Sequence, residues 1–424
     1  MRLSWRLRET GLLLSGGALV LCGAAIASAA RRGELVPAAF APLLVYLAAA
    51  LAVHIVLSLA GVRGDQLLLP IVVALSGIGL VFLLRLDPDF GMRQAIWLVL
   101  GLVIAMATYF LTRRIAVLRR FKYSIATVGL ILVGLTFLFG QDLNGSGARL
   151  WLGAGGIYFQ PSELLKVLLV VFLAAYLDEH AVILSRGAYR LGPVPLPPIP
   201  YLIPLLVMWG LAVGMLVIQR DLGAALLFFG IFVAMLYLAS GRLLYLSVAV
   251  AAFAAAIWVA YRAIPIFQNR VDTWLNPWAQ PSGLGMQSIQ GLIALASGGL
   301  FGAGIGLGRP GYVPAVHTDF ILVAIGEEAG LAVTLGLIAL YAVFIGRGFR
   351  LAMRSRSTFA ALLAAGLVTV IGIQTFVIIA GVLRLLPLTG VTLPFVSYGG
   401  SSIVTNSVLL GLLLRLAADA EGPA

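Results

Sequence analysis

Residues 201–242 read Tyr201-Leu-Ile-Pro-Leu-Leu-Val-Met-Trp-Gly-Leu-Ala-Val-Gly-Met-Leu-Val-Ile-Gln219-Arg220-Asp221-Leu-Gly-Ala-Ala-Leu-Leu-Phe-Phe-Gly-Ile-Phe-Val-Ala-Met-Leu-Tyr-Leu-Ala-Ser-Gly241-Arg242. Two apolar runs are parted by Gln219, Arg220 and Asp221 alone. Each is close to the roughly 20 residues that a helix needs to cross a bilayer core, so the chain crosses, turns at 219–221 and crosses back.

The same test applied outward finds twelve runs, at 10–30, 38–60, 67–85, 94–112, 122–140, 161–178, 200–219, 222–240, 243–262, 320–346, 358–385 and 401–418. The whole composition agrees. Of 424 residues, 62% are hydrophobic and 10% charged, against about 45–50% apolar and 25% charged in a soluble domain. A soluble enzyme could not cover its surface with so few polar groups, and a disordered chain would need more charge. The fold class is an all-α polytopic membrane protein. The first run follows Arg2, Arg6 and Arg8 and resembles a signal peptide, but it is too long for a typical h-region and is read as an uncleaved helix.

The 28 Lys and Arg exceed the 16 Asp and Glu, giving +12. In a membrane protein this excess marks cytoplasmic loops rather than a nucleic-acid partner. The dense clusters at 113–122 and 347–356 fall on one side, with the N-terminus. That places both termini in the cytoplasm. Three irregular segments then share the outer side: 141–160, with the glycine-rich run 153–156; the long loop 263–319; and 386–400, broken by Pro387, Pro394 and glycines. Within the long loop, 288–300 is too short to span and reads as an interfacial or re-entrant helix. Irregular backbone at membrane depth must be buried in protein or line a wet cavity, so the outer side is where chemistry is expected. The chain divides into two N-terminal helices (1–66), a core (67–418) containing the loop 263–319, and a cytoplasmic tail (419–424).

Sparse charges at that side each admit a plain reading and a functional one. In Val313-Pro-Ala-Val-His317-Thr318-Asp319-Phe320, Thr318 or Asp319 caps the tenth span, or Asp319 serves as a general base. In Gln160-Pro-Ser-Glu163-Leu-Leu-Lys166, Lys166 pairs with Glu163 or snorkels, or marks a functional site within the membrane. Arg220 and Asp221 form a turn, or Arg220 holds a pyrophosphate. Glu327 and Glu328 lie roughly 12 Å further along the helix than Asp319 and read as structural, interior-facing groups. The run 298–308 is rich in glycine but lacks the GK[ST] ending and any strand–turn–helix context, so no nucleotide is expected. His54, His180 and His317 are scattered and Cys22 is the single cysteine, which argues against a catalytic zinc site and excludes an intrachain disulfide. No haem is expected either.

With those segments placed, the sequence resembles the SEDS family, the RodA/FtsW/SpoVE proteins of bacterial shape, division and sporulation. The resemblance runs from about Leu67 to Leu416. It is carried by Gly147-Ala-Arg149-Leu-Trp151, Gln160-Pro-Ser-Glu163-Leu-Leu-Lys166, Gln219-Arg220-Asp221-Leu-Gly223 and Asn276-Pro277-Trp278. Further on come His317-Thr-Asp319-Phe, Gly326-Glu-Glu328 and Leu393-Pro394-Phe-Val-Ser397-Tyr-Gly-Gly-Ser401-Ser402. The resemblance implies a peptidoglycan glycosyltransferase that polymerises lipid II at the outer face of the bacterial cytoplasmic membrane. A class B penicillin-binding protein, the transpeptidase, is the implied partner, and Asp319 the implied catalytic residue. Arg149, Lys166, Arg220, Arg270, His317, Thr318 and Ser397 are the expected substrate-contacting residues, with Arg309 a further cation. A divalent cation, magnesium or manganese, is a cofactor candidate, but no sequence pattern fixes its ligands. Two departures stand out: the family core has ten spans and this chain adds two before Leu67, and Arg220 stands where the family often has Pro. The Gln-Arg-Asp-Leu-Gly form and the run 269–277 resemble the RodA, elongation-type branch. A lipid II flippase, or a division-type FtsW polymerase, is the competing expectation.

Overall fold

The computed structural model describes residues 6–32, 34, 40–143, 147–186, 189–191, 194–196 and 199–421. Arg2, residues 144–146 of the irregular segment 141–160 and the last three tail residues lie outside them. Among the described residues the chain is nearly all helix. The helices are α1 (Leu7–Arg32), α2 (Ala41–Leu59), α3 (Leu68–Leu86), α4 (Pro88–Leu111), α5 (Ala116–Arg120), α6 (Lys122–Phe139), α7 (Pro161–Arg186), α8 (Ile199–Ile218), α9 (Leu222–Ser240), α10 (Leu243–Ala263), α11 (Pro265–Leu275), α12 (Met286–Gly298), α13 (Ile321–Arg354), α14 (Thr358–Val382) and α15 (Gly400–Glu421). All but α5, α11 and α12 are long and apolar enough to cross a membrane, which gives 12 spans. They answer one for one to the twelve apolar runs.

The ends differ where local chemistry outweighs hydropathy. Helix α4 begins at Pro88 rather than at 94, because proline suits a first helical turn and Asp87 accepts the Asp89 N–H at 2.8 Å. Asp221 caps α9, its carboxylate taking the Ala224 N–H at 3.0 Å. Helix α15 runs on to Glu421, so 419–421 continue the last helix. The segment 141–160 contains a small hairpin, β1 (Leu152–Ala154) against β2 (Ile157–Phe159), with Leu152 opposite Phe159. Gly155 and Gly156, at φ 64° and 88°, make its two-residue turn. A second hairpin pairs β3 (Tyr189–Leu191) with β4 (Val194–Leu196).

The chain forms two compact units. The first comprises Met1–Leu111, Ala260–Arg347 and Gln374–Ala424. Here α1 packs on α3, α2 on α4, and α4 on α15. Helices α4 and α15 approach closely because Gly101 and Gly411 face Ser407 and the Ala105 carbonyl, where a side chain would collide. The two N-terminal helices share a buried polar chain. Arg6 pairs with Glu9, Glu9 meets His54 Nδ1 at 2.7 Å, and His54 Nε2 meets the Thr10 hydroxyl at 2.9 Å. Ionisable groups in an apolar surround are affordable only when paired in this way. The second unit comprises Thr112–Val259 and Gly348–Ile373. Its centre is α7, buried along most of 165–177 and surrounded by α6, α8 and α9.

Helix α13 is not a plain span. Gly330 (φ 79°, ψ 178°) breaks it, in a region of backbone space open essentially to glycine alone. The break frees peptide groups at membrane depth, and the glycine run 298–308 takes them up. Ala303 and Gly304 N–H donate to the Glu327 and Glu328 carbonyls at 2.8 and 3.0 Å, while Leu331 and Ala332 N–H donate to Gly299 and Leu300 at 3.0 and 3.1 Å. The glycines are needed because the two backbones nearly touch: a Cβ on Gly330 would strike Gly302 N. Gly330→Ala should therefore lower the thermal unfolding midpoint in detergent, by a destabilisation of about 1–3 kcal/mol or more. Gly336→Ala, on the same helix with open space around it, should leave the midpoint unchanged or raise it. Equal midpoints for the two variants would refute the packing argument.

Candidate functional site

Asp319 belongs to the first unit. Helix α12 runs parallel to the first turns of α13, with Gly291 against Phe320 and Gly298 against the Gly326 carbonyl. The chain then returns through 299–318, so the expected short helix is re-entrant rather than lying flat. At the end of the return, Ala315 (φ 53°) turns the backbone. Both the N–H and the hydroxyl of Thr318 reach the Ala315 carbonyl at 3.1 Å. Asp319 follows, two residues before α13, half-buried. Burial pushes its carboxyl up to about 6, although the Thr318 hydroxyl and the Arg270 charge both pull it down. A carboxyl that titrates there is ionised at neutral pH yet basic enough to take a proton in a transition state. Gly390 (φ 72°) lies beside it, a Cβ there coming within 3.7 Å of Asp319 Oδ2.

The irregular segment 386–400 holds this turn in place. Two consecutive carbonyls before Asp319 are taken: His317 C=O accepts the Tyr398 N–H at 2.9 Å, and Thr318 C=O accepts the Ser397 hydroxyl at 2.5 Å. The same hydroxyl accepts the Leu393 N–H at 2.9 Å. Gln94 of α4 donates to Ser397 C=O at 3.0 Å and accepts from Gly399 N–H at 3.3 Å. Gln374 donates to Thr392 C=O at 2.7 Å, and the Tyr341 hydroxyl donates to Pro394 C=O. The backbone that leaves helix here is buried and paired, as membrane depth demands. Ser397 is 2% exposed, and its hydroxyl is spent inside the protein rather than turned toward a substrate.

His317 stacks on Phe90, ring centroids 4.5 Å apart, with Tyr398 edge-on at 6.1 Å. Burial lowers its imidazole pKa, against the charge of Asp87, so the ring is neutral at pH 7. Glu327 and Glu328 have structural partners, as expected. Glu328 pairs with Arg85 at 2.7 Å and accepts the Gly306 N–H at 3.0 Å; Glu327 accepts the Arg309 N–H at 2.7 Å. On the far side of the long loop, Trp274 and Arg384 exchange bonds, Nε1 to Arg384 C=O at 2.8 Å and Nη2 to Trp274 C=O at 2.6 Å. This ties the end of α11, which also carries Arg270, to the start of the irregular segment.

Arg149, Lys166 and Arg220 belong to the second unit. Lys166 is 1% exposed and pairs with Glu163 at 2.7 Å. Gln160 bonds Ser162 at 3.0 Å and Asp221 at 3.1 Å, tying the head of α7 to the cap of α9. Arg220 sits at φ 63° and is exposed. Its guanidinium extends toward Gly147, 3.7 Å from where a Cβ would stand. Arg149, two residues on, is also exposed. The turn reading of 219–221 holds, since Asp221 caps α9, while Arg220 is exposed beside it. Among the described residues no three His, Cys, Asp or Glu side chains gather as a divalent-cation site would need.

Gln94, Phe90 and Asp87 escaped notice in the sequence because they stand in a turn and an apolar span with no motif around them. The available signal was a lone amide within a span, which needs partners.

The comparisons with known proteins agree with this architecture. Residues 66–422 match the FtsW/RodA/SpoVE family model, described as a cell cycle protein. That match begins just before α3, so α1 and α2 precede it. The peptidoglycan glycosyltransferase RodA of Mycobacterium tuberculosis is 40% identical over 375 residues, 85% of this chain and 79% of the relative. A solved peptidoglycan synthase complex, described as coordinating polymerisation and crosslinking, includes a chain superposing with TM-score 0.69 at 29% identity, covering 84% of this chain and 98% of that one. The rod shape-determining protein RodA of Thermus thermophilus superposes with TM-score 0.62 at 29% identity, covering 85% and 98%. With most of its length matched in sequence and in fold, the chain belongs to the FtsW/RodA/SpoVE family.

Proposed function

We infer that this chain is a peptidoglycan glycosyltransferase of cell-wall elongation, polymerising lipid II at the outer face of the bacterial cytoplasmic membrane. Family membership and the 40% identity to RodA support the activity and the branch. The observation that carries the mechanism is the Asp319 carboxyl, half-buried, raised to about 6 and fixed in a braced turn at a helix start.

In this reading Asp319 takes the proton from the C4 hydroxyl of the acceptor sugar as that oxygen attacks the anomeric carbon of the donor chain. The bond from that carbon to undecaprenyl pyrophosphate breaks, and the leaving group keeps the electron pair. Attack from the opposite face inverts the α-linked donor to a β-linked product. Negative charge grows on the leaving pyrophosphate, and guanidinium groups stabilise it well. Arg149 and Arg220 are the candidates in the second unit because both are exposed. Lys166, buried and paired with Glu163, supports the head of α7. Thr318 contacts Asp319, and Arg270 tunes its charge. The neutral His317 ring, stacked on Phe90, offers a nitrogen to a sugar hydroxyl. A divalent cation would share the pyrophosphate charge through ligands drawn partly from the substrate. A class B penicillin-binding protein is the proposed partner, consistent with the synthase complex among the structural relatives. Both termini face the cytoplasm, following the cation clusters at 113–122 and 347–356.

Asp319→Asn should insert and fold normally yet lose roughly 10²–10⁴-fold in glycan polymer formed from lipid II; full retention of polymerisation would remove Asp319 from the base role. Because the base acts ionised, the wild-type initial rate should rise with pH through about 6 and level off above it. Below that point it should fall about tenfold per unit. Arg270 lowers the carboxyl's pKa, so Arg270→Gln should move this limb to higher pH. An unmoved limb would dissociate Arg270 from Asp319. Arg149→Ala should weaken lipid II use about 10–100-fold without changing the amount of protein in the membrane, measured as kcat/KM against yield.

A further inference from the structure

The brace around Asp319 passes through one side chain that the reaction does not touch. Gln94 is 1% exposed on α4, and both ends of its amide are used on a single stretch of irregular backbone: Nε2 on Ser397 C=O at 3.0 Å, Oε1 on Gly399 N–H at 3.3 Å. Between those two points lies Tyr398, whose N–H holds His317 C=O at 2.9 Å. At the near point lies Ser397, whose hydroxyl holds Thr318 C=O at 2.5 Å and is itself oriented by Leu393 N–H at 2.9 Å. Gln94 therefore clamps the residues whose polar groups hold the two peptide units before Asp319. A planar amide suits this task because it offers a donor and an acceptor in fixed relation, and it reads a two-residue backbone spacing that an apolar side chain cannot.

We propose that Gln94 and Ser397 are positioning residues for the polymerisation reaction, Gln94 fixing the segment 397–399 and Ser397 passing that constraint to the Thr318 carbonyl and so to the Asp319 carboxylate. The inference rests on the reading of Asp319 as the base. It assigns to Ser397 a role inside the protein in place of substrate contact. A misplacement of the base by about 1 Å costs on the order of 10²-fold in rate, while substrate affinity, set by other groups, stays near its original value.

The brace also determines how Asp319 titrates, since a loosened turn admits water around a carboxyl whose pKa is raised by burial. Less burial lowers that pKa, so the acidic limb of the rate moves to lower pH. A residue that only held the fold together would alter yield and thermal midpoint without shifting that limb.

The experiment compares wild type, Gln94→Met, Ser397→Ala, the double variant and Asp319→Asn, all purified as full chains in detergent with their cognate transpeptidase, with lipid II as substrate. The expected result is a fall of at least tenfold in kcat for each single variant, with KM for lipid II within about twofold and the acidic limb displaced downward. The double variant should be no worse than the poorer single one, because the two residues act through one connection. If Gln94→Met does not fold, Ser397→Ala, which removes a single oxygen, decides the matter by the same readouts. Unchanged kcat and limb in folded single variants, alongside an inactive Asp319→Asn, would overturn the positioning role and leave the base reading intact. An active Asp319→Asn would overturn both.

Discussion

A peptide group that leaves a helix at membrane depth has no water to turn to, and each one left unpaired costs several kcal/mol. The first unit meets this constraint twice. At Gly330 the helix breaks and the glycine run returns beside it to collect the exposed peptide groups. At 392–399 the chain leaves helix again, and Gln94, Tyr341, Gln374 and Ser397 side chains bind its peptide groups while Tyr398 uses its N–H on His317. Asp319 lies between these two solutions. Its position follows from where the neighbouring backbone finds partners, since the His317 and Thr318 carbonyls just before it are held by Tyr398 and Ser397.

The scarcity of charge acquires meaning in this light. Glu327 and Glu328, deeper along α13 than Asp319, are held by Arg85 and by N–H groups of the glycine-rich return. Their carboxylates are structural pins. Burial raises the Asp319 carboxyl to about 6, with the Thr318 hydroxyl and the Arg270 charge opposing it. These carboxylates, one in the turn before α13 and two within it, thus differ in what surrounds them, and that difference separates a scaffold from a base. Arg149 and Arg220 show the complementary pattern. They are exposed cations beside a hairpin and a tight turn, whereas Lys166 nearby in sequence is buried and matched.

The twelve spans were legible because hydropathy over 20 residues is a strong signal, and length showed 288–300 too short to span but left interfacial and re-entrant readings open. What the sequence concealed depended on contacts distant in the chain. Nothing in Ala329-Gly330-Leu331 announces a broken helix; the break exists because 298–308 returns to complete it. In the glycine-rich run 153–156, Gly153 and Ala154 pair in β1 and Gly155 and Gly156 form the hairpin turn. Ser397 carried the family motif and so suggested substrate contact, yet its hydroxyl binds Thr318 and Leu393. Gln94 carried no motif at all. Its value comes from a partner some 300 positions later in the chain, which single-sequence periodicity does not encode.

A chain that joins sugars differs from one that moves a lipid across a membrane in needing no bilayer for its product. The direct test is to incubate the purified protein with lipid II in detergent, alone and with its cognate transpeptidase, and to resolve the products by gel. A ladder of glycan polymer, formed with no bilayer present and stronger when the partner is added, is the predicted result. Lipid II recovered unpolymerised under both conditions, from protein shown to be folded, would contradict the account and favour a transporter.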